Sequence, residues 1–205
     1  MSYLRRQELT GGERRLELTA GTTALLVVDI QERLCAAMPQ AVVEAQTRNV
    51  GHLLTLAARL DVPVIVTEQY PQGLGPTVAP LRALFTGQPF APFAPFAPFA
   101  KTSFSAMRDA PTAEAVRATG RTSVVVVGLE THVCVYQTVR DLCAAGFTVH
   151  VPADAVASRT KENFNVGLQL ISLAGGVPTS TEVVLFDWLK VGSGEIFKEV
   201  SRRLR

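Results

Sequence analysis

The sequence predicts an α/β fold: a three-layer, doubly wound sandwich with a mainly parallel, Rossmann-like central sheet. Three observations predict it. Val124-Val125-Val126-Val127 is a continuous apolar run, the pattern of a central strand buried on both faces. Ala24-Leu25-Leu26-Val27-Val28 is a second such run, ending in Asp29. Stretches of helical periodicity lie between the apolar runs, and alternating strands and helices imply parallel pairing through right-handed crossovers. With 205 residues the chain is long enough for one domain with a sizeable core, and residues 1–205 read as that domain.

Taken in order, residues 1–20 are polar and interrupted by glycine, an arm or short edge strand. Residues 24–29 form the first strand. Residues 40–60 carry helical spacing through Val43, Val50, Leu53, Leu54, Ala57 and Leu60. Pro63-Val64-Ile65-Val66-Thr67 is the next buried strand. Residues 68–110 read as loop-rich, and residues 111–119 as a short helix before the valine strand. Gly128 breaks that strand, Thr131 is placed to cap the helix after it, and Val133, Val135, Val139 and Leu142 have helical spacing. Gly146 closes the helix, and Phe147-Thr148-Val149-His150-Val151 is a strand. Residues 161–173 read as a helix, residues 176–179 as a short last strand, and residues 182–191 and 194–205 as helices.

One segment breaks the alternation. Residues 89–100 are four consecutive Pro-Phe-Ala triplets. Proline at every third position excludes helix and favours polyproline II, which has three residues per turn. Phe90, Phe93, Phe96 and Phe99 would then line one edge. The run reads either as an expanded low-complexity loop or as a row that packs on another copy of the chain.

Composition narrows the function classes. A net charge of +2 is too small to argue for nucleic acid. No apolar run approaches the ~18 residues of a membrane span, and the first residues lack the apolar run of a secretory signal. Three cysteines without a short pairing pattern suggest a reducing, cytoplasmic setting.

The chemistry gathers at the strand ends. Cys134 falls in the first turn of a predicted helix, just past the carboxyl end of a strand, where α/β sheets bind ligands. Free N–H groups and the helix dipole there favour an anion, so an easily ionised thiol is expected. Such a nucleophile needs a base. His132 points away from a residue two positions on, His52 belongs to an amphipathic helix, and His150 is a weak alternative. Asp29 ends an apolar strand at the same sheet edge, where it serves as an active-site acid or as a cap for the residues after it. Lys101, after the triplets, is the cation that Asp29 and a thiolate would call for.

The segments Leu26-Val27-Val28-Asp29-Ile30-Gln31, Lys101-Thr102-Ser103-Phe104-Ser105 and Gly128-Leu129-Glu130-Thr131-His132-Val133-Cys134-Val135 resemble, in order and over residues 20–190, the isochorismatase-like cysteine hydrolase family. Thr67-Glu68-Gln69-Tyr70-Pro71-Gln72-Gly73-Leu74-Gly75 resembles a poorly characterised subgroup of it. The resemblance implies a Cys-Asp-Lys triad that hydrolyses C–N bonds of small amides or carbamoyl compounds through a thioester, in a homo-oligomer such as a dimer or tetramer. Cys134 would attack the carbonyl, Asp29 would take and return the proton, and Lys101 would hold both in register. A cis peptide would fall at Leu129-Glu130, and the N–H groups of Glu130 and Cys134 would form the oxyanion hole. Gln31, Glu68, Tyr70, Phe104 and Leu129 are candidates to line the substrate pocket, although capping and packing explain the first three equally well. Metal-binding members use an acid and two histidines after the first strand. Here residues 30–51 and 53–131 contain no histidine, so no catalytic metal and no cofactor are expected. The rival reading is a non-catalytic or redox-responsive binding protein on the same scaffold. A dinucleotide enzyme is disfavoured, since no glycine-rich turn joins the first strand to its helix.

Overall fold

The computed structural model describes residues 16–86 and 96–204. The apolar runs become β1 (Thr23–Val28) and β4 (Ser123–Leu129), neighbours at the centre of a seven-stranded sheet in the order β3-β2-β1-β4-β5-β7. The others are β2 (Val64–Gln69), β3 (Phe99–Lys101), β5 (Thr148–Pro152), β6 (Val156–Ala157) and β7 (Val177–Thr179). β6 pairs with the carboxyl end of β4, and every strand pair is parallel.

All of β1 and β4 is buried, because each face carries helices. The two-residue period of a strand divides their side chains between two cores. Leu25, Val27, Val125 and Val127 face one cluster with residues of α2 (Gln40–Arg59), α8 (Thr181–Leu189) and α9 (Glu195–Arg203). Ala24, Leu26, Val28, Val124 and Val126 face the other, with residues of α5 (Ala110–Ala118), α6 (Tyr136–Ala144) and α7 (Lys161–Leu173). Each large side chain sealed in this way contributes ~1.5–3 kcal/mol. Among the described residues no helix is long and apolar enough to cross a membrane.

Two expectations change. Residues 68–110 are less loop-rich than their composition suggests: they hold the end of β2, the short α3 (Pro71–Leu74), α4 (Ala79–Thr86) and β3. The last triplets also leave the one-edge arrangement. Phe96 stacks on Phe85, with ring centroids 4.6 Å apart, against the first cluster, whereas Phe99 opens β3 and packs against the second. Pairing with β2 imposes the strand repeat there and ends the three-residue one. Phe90 and Phe93 lie outside the described residues. Most of the N-terminal arm lies outside them too, but its last part is docked: Leu18 is fully buried and its N–H donates to Asp187. The remaining helix, α1 (Glu32–Ala36), follows β1 directly.

Candidate active site

The strand order reverses between β1 and β4, since β1 leads on to β2 on one side while β4 leads to β5 on the other. A crevice outside the carboxyl ends of two such strands is where open parallel sheets bind ligands. Asp29 follows β1 there, and residues 130–134 follow β4. The two strands approach closely at this point. Gly128 has φ +129°, and a Cβ on it would collide with the Val28 carbonyl. Only glycine adopts that backbone without strain.

Asp29 leaves β1 with φ +52°, in a region that aspartate tolerates better than most residues. This turns its carboxylate into a fully buried position where each oxygen is engaged. Oδ1 accepts from Thr67 Oγ1 at 2.7 Å, and Oδ2 accepts from Lys101 Nζ at 2.7 Å. Both side chains of the ion pair are fully buried. Lys101 is delivered by β3, whose register sets it beside Gln69 of β2. Its ammonium also donates to Gln69 Oε1 at 2.7 Å and to the carbonyls of Ser103 and Phe104 at 3.1 and 3.2 Å. The amide of Gln69 is fixed in turn by donating to the Thr102 carbonyl at 2.8 Å. An ammonium with such partners is held in one place, as desolvated charges require.

Cys134 approaches from the other side of the crevice. The peptide Leu129-Glu130 is cis. A π-helical turn, Thr131–Val135, then carries the cysteine into α6. Thr131 does not cap it: Glu130 is the residue before the turn, and the Thr131 hydroxyl is buried without a partner. Gly167 of α7 makes room for the turn, since a Cβ there would lie 2.8 Å from His132 N and from Thr131 C. The Cys134 thiol is buried, close enough to the Asp29 carboxylate to feel its charge. Burial pushes the thiol up to about 12, Asp29 adds to the rise, and Lys101 opposes it. The expectation of an easily ionised cysteine is therefore corrected. Desolvation and the nearby carboxylate outweigh the start of the helix, and the resting group is a neutral thiol. Around it, the Glu130 N–H takes no backbone acceptor among the described residues, and the Cys134 N–H takes none outside the π turn.

The remaining sequence candidates divide. Leu129 is fully buried at the end of β4. Phe104 and Tyr70 are 54% and 55% exposed, Phe104 just beyond Lys101 and Tyr70 at the start of α3. The Gln31 and Glu68 side chains tie loop segments to the end of β2, and Gln31 makes no side-chain cap on α1. Gln31 Nε2 donates to the Gln69 and Gly75 carbonyls and its Oε1 accepts from Gln69 N, while Glu68 Oε1 accepts from Thr77 N and Oγ1. Glu130 Oε2 accepts from Arg159 N and Nε. His132 Nδ1 shares a 3.0 Å hydrogen bond with Ser158. His150 lies opposite Val125, inside the sheet and below its carboxyl edge, which removes it as a partner for Cys134. Sequence reasoning passed over Thr67 and Gln69, the direct partners of Asp29 and Lys101. Their position at the end of β2, two residues apart and hence on one face, was the available signal. Among the described residues no three His, Cys, Asp or Glu side chains gather where they could share a metal ion.

Comparison with known proteins agrees with this architecture. The isochorismatase domain matches residues 23–183. The isochorismatase domain-containing protein 1 of Salmo salar is 35% identical over 189 residues, which cover 92% of this chain and 62% of that protein. The chain thus spans less than two thirds of that relative. A solved structure described as the MAR1 ribonuclease of Caenorhabditis elegans is 33% identical, covers 92% of each chain and has a TM-score of 0.78. The YcaC gene product of Escherichia coli, described as an octameric hydrolase of unknown specificity, is 25% identical, covers 91% of this chain and 90% of that one, and has a TM-score of 0.80. The chain belongs to the isochorismatase-like hydrolase family.

Proposed function

We propose that this member of the isochorismatase family is a metal-independent cysteine hydrolase, cleaving a C–N bond of a small amide or carbamoyl compound. The observation that carries the reading is a buried carboxylate, held from behind by a buried ammonium, beside the buried Cys134 thiol. As Cys134 Sγ attacks the carbonyl carbon, its proton passes to Asp29 Oδ and the carbonyl oxygen becomes an oxyanion. Lys101 keeps the site's net charge tolerable before and after the transfer, since it faces a carboxylate at rest and the thiolate on attack. The N–H groups of Glu130 and Cys134 receive the oxyanion; one such donor is typically worth ~100–1000-fold in rate. The C–N bond breaks as Asp29 returns the proton to the leaving amine, leaving a thioester. Water then attacks the thioester, Asp29 takes its proton, and the acid and the free thiol are released. A pKa near 12 suits a nucleophile that is deprotonated only in the act of attack. Tyr70, Phe104 and Leu129 complete the pocket in this reading. A cytoplasmic homo-oligomer belongs to it as well, supported by three cysteines that form no disulfide and by the octameric relative.

The test is incubation with a panel of small amides and N-carbamoyl compounds, with mass spectrometry to trap an acyl group on Cys134. RNA enters the panel because of the relative described as a ribonuclease. Replacing Cys134 by Ala is expected to abolish amide turnover while the fold is retained, and full turnover by the folded variant rejects the mechanism. The burial of the thiol favours one second reading, a binding protein with an unused cysteine. It predicts no acyl adduct from any amide.

A further inference from the structure

A second cavity lies next to this site and is not used by the proposed reaction. It is a cleft of about 490 Å³ between the first turns of α2 and the start of α7, large enough for a small organic ligand. Its floor is apolar, with Val42, Ala45, Val156 and Phe164. One end is cationic. Arg159 and Lys161 line it at the first turn of α7, a 13-residue helix whose N–H groups favour an anion. One acid shares the lining, Asp154, whose Oδ1 accepts from Thr181 N and Oγ1, while both basic side chains stand at the α7 end. Arg159 gives its Nε and backbone N–H to Glu130, and its side chain stays 56% exposed in the lining. Gln46, 2% exposed, stands in the wall. Its Nε2 donates to the carbonyls of Gly128 and Ala155, which fixes the amide and leaves Oε1 without a donor.

We propose that this cleft binds a small amphipathic anion, with a carboxylate at Arg159 and Lys161 and an apolar body along Val42, Ala45 and Phe164. The charge at one end selects the anion, and the apolar floor selects its body. Two walls of the cleft are the partners of residues flanking Cys134: Arg159 bonds Glu130 and Ser158 bonds His132. The ligand therefore lies one side chain away from the candidate active site without being part of its chemistry.

The probe is hexanoate, titrated calorimetrically against the full chain, with hexanol and hexylammonium for comparison. Saturable binding of hexanoate, with hexanol weaker and hexylammonium absent, is expected. Lys161→Glu alters an exposed side chain that the fold does not need, and is expected to weaken hexanoate by about tenfold or more. Ala45→Trp, which fills the floor, is expected to abolish binding at unchanged mass in solution. Cys134→Ala is expected to bind as the parent does, so failure of the hydrolase reading leaves this inference standing. The inference is overturned if hexanoate shows no saturable binding, if Lys161→Glu binds as well as the parent, or if Cys134→Ala loses binding. It is overturned as well if Ala45→Trp breaks an oligomer, which would make a second copy of the chain the occupant.

Discussion

Replacing Asp29 by Asn should make Cys134 more reactive towards alkylating agents while destroying hydrolysis. The thiol titrates at about 12 instead of 9.0. At about pH 8 that lowers the thiolate fraction from ~10⁻¹ to ~10⁻⁴, so alkylation of the parent should run ~1000-fold below an ordinary thiol on ionisation alone. The Asp29 charge is the second cause of the rise, after burial. Asn keeps the shape, removes the charge and leaves Lys101 unopposed, so both changes lower the thiol. Each unit of that fall gives about tenfold faster alkylation. Amide turnover should meanwhile fall by ~10²–10⁴, the usual worth of a general base. Lys101→Met has the opposite electrostatic sign and should slow alkylation further. The assay is iodoacetamide labelling from about pH 7 to 10, with mass spectrometry of the Cys134 peptide and half-buried Cys143 as an internal reference. Circular dichroism establishes that each variant is folded, since unpairing one partner of a buried ion pair costs ~3–5 kcal/mol. A folded Asp29→Asn protein whose Cys134 reacts more slowly than the parent's, or at the same rate, refutes the electrostatic argument.

Three further outcomes are expected of the same structure. Cys134 and Cys35 both titrate higher when folded, at about 12 and about 11 against 9.0, so the unfolded chain loses these protons first. Stability from these thiols is complete below pH 9.0 and falls as pH rises towards about 12; denaturant midpoints should decline over that window, and the decline should flatten in Cys134→Ala. Gly167→Ala should destabilise, although the same change in an open helix stabilises by ~1 kcal/mol, because its Cβ would press on the π turn. A raised melting temperature would show that α7 does not seat against that turn. Gln69→Leu removes one acceptor from Lys101 Nζ and should lower kcat about tenfold with KM little changed. A change confined to KM would place Gln69 against substrate instead.

The central strands were legible because burial on both faces leaves an unbroken apolar run, which few other structures produce. β1 and β4 are of this kind, and Asp29 and Gly128 stand out within or after them as residues the pattern alone does not require. The nearness of Lys101 to Asp29 was not written in spacing. The two are 72 positions apart, and they meet only because β3 adds to the edge of β2 in one register. Gln31 and Glu68 were equally opaque, because their partners are backbone groups of loops whose path no local pattern fixes. The sign of the Cys134 shift was misread for a related reason. A helix start can be seen in sequence, but the burial of a thiol and the carboxylate facing it cannot. The phenylalanine row failed at Phe99, where long-range pairing overrode the local repeat.

The placement of the valine strand also decides how this protein comes to grief when heated. Four consecutive valines with no charge and no proline make a segment prone to fibril-like association. In the fold it is the sheet's innermost strand, fully covered. The two outer strands, β3 and β7, have three residues each. Pro98 precedes the first of them and Pro178 lies within the second, so the native molecule offers a passing chain little to pair with. Protection of this kind lasts only while the sheet is closed. A molecule that opens exposes residues 124–127, and association between open chains then competes with reclosing. Where association wins, survival at high temperature is set by the rate of opening rather than by an equilibrium between folded and unfolded chains.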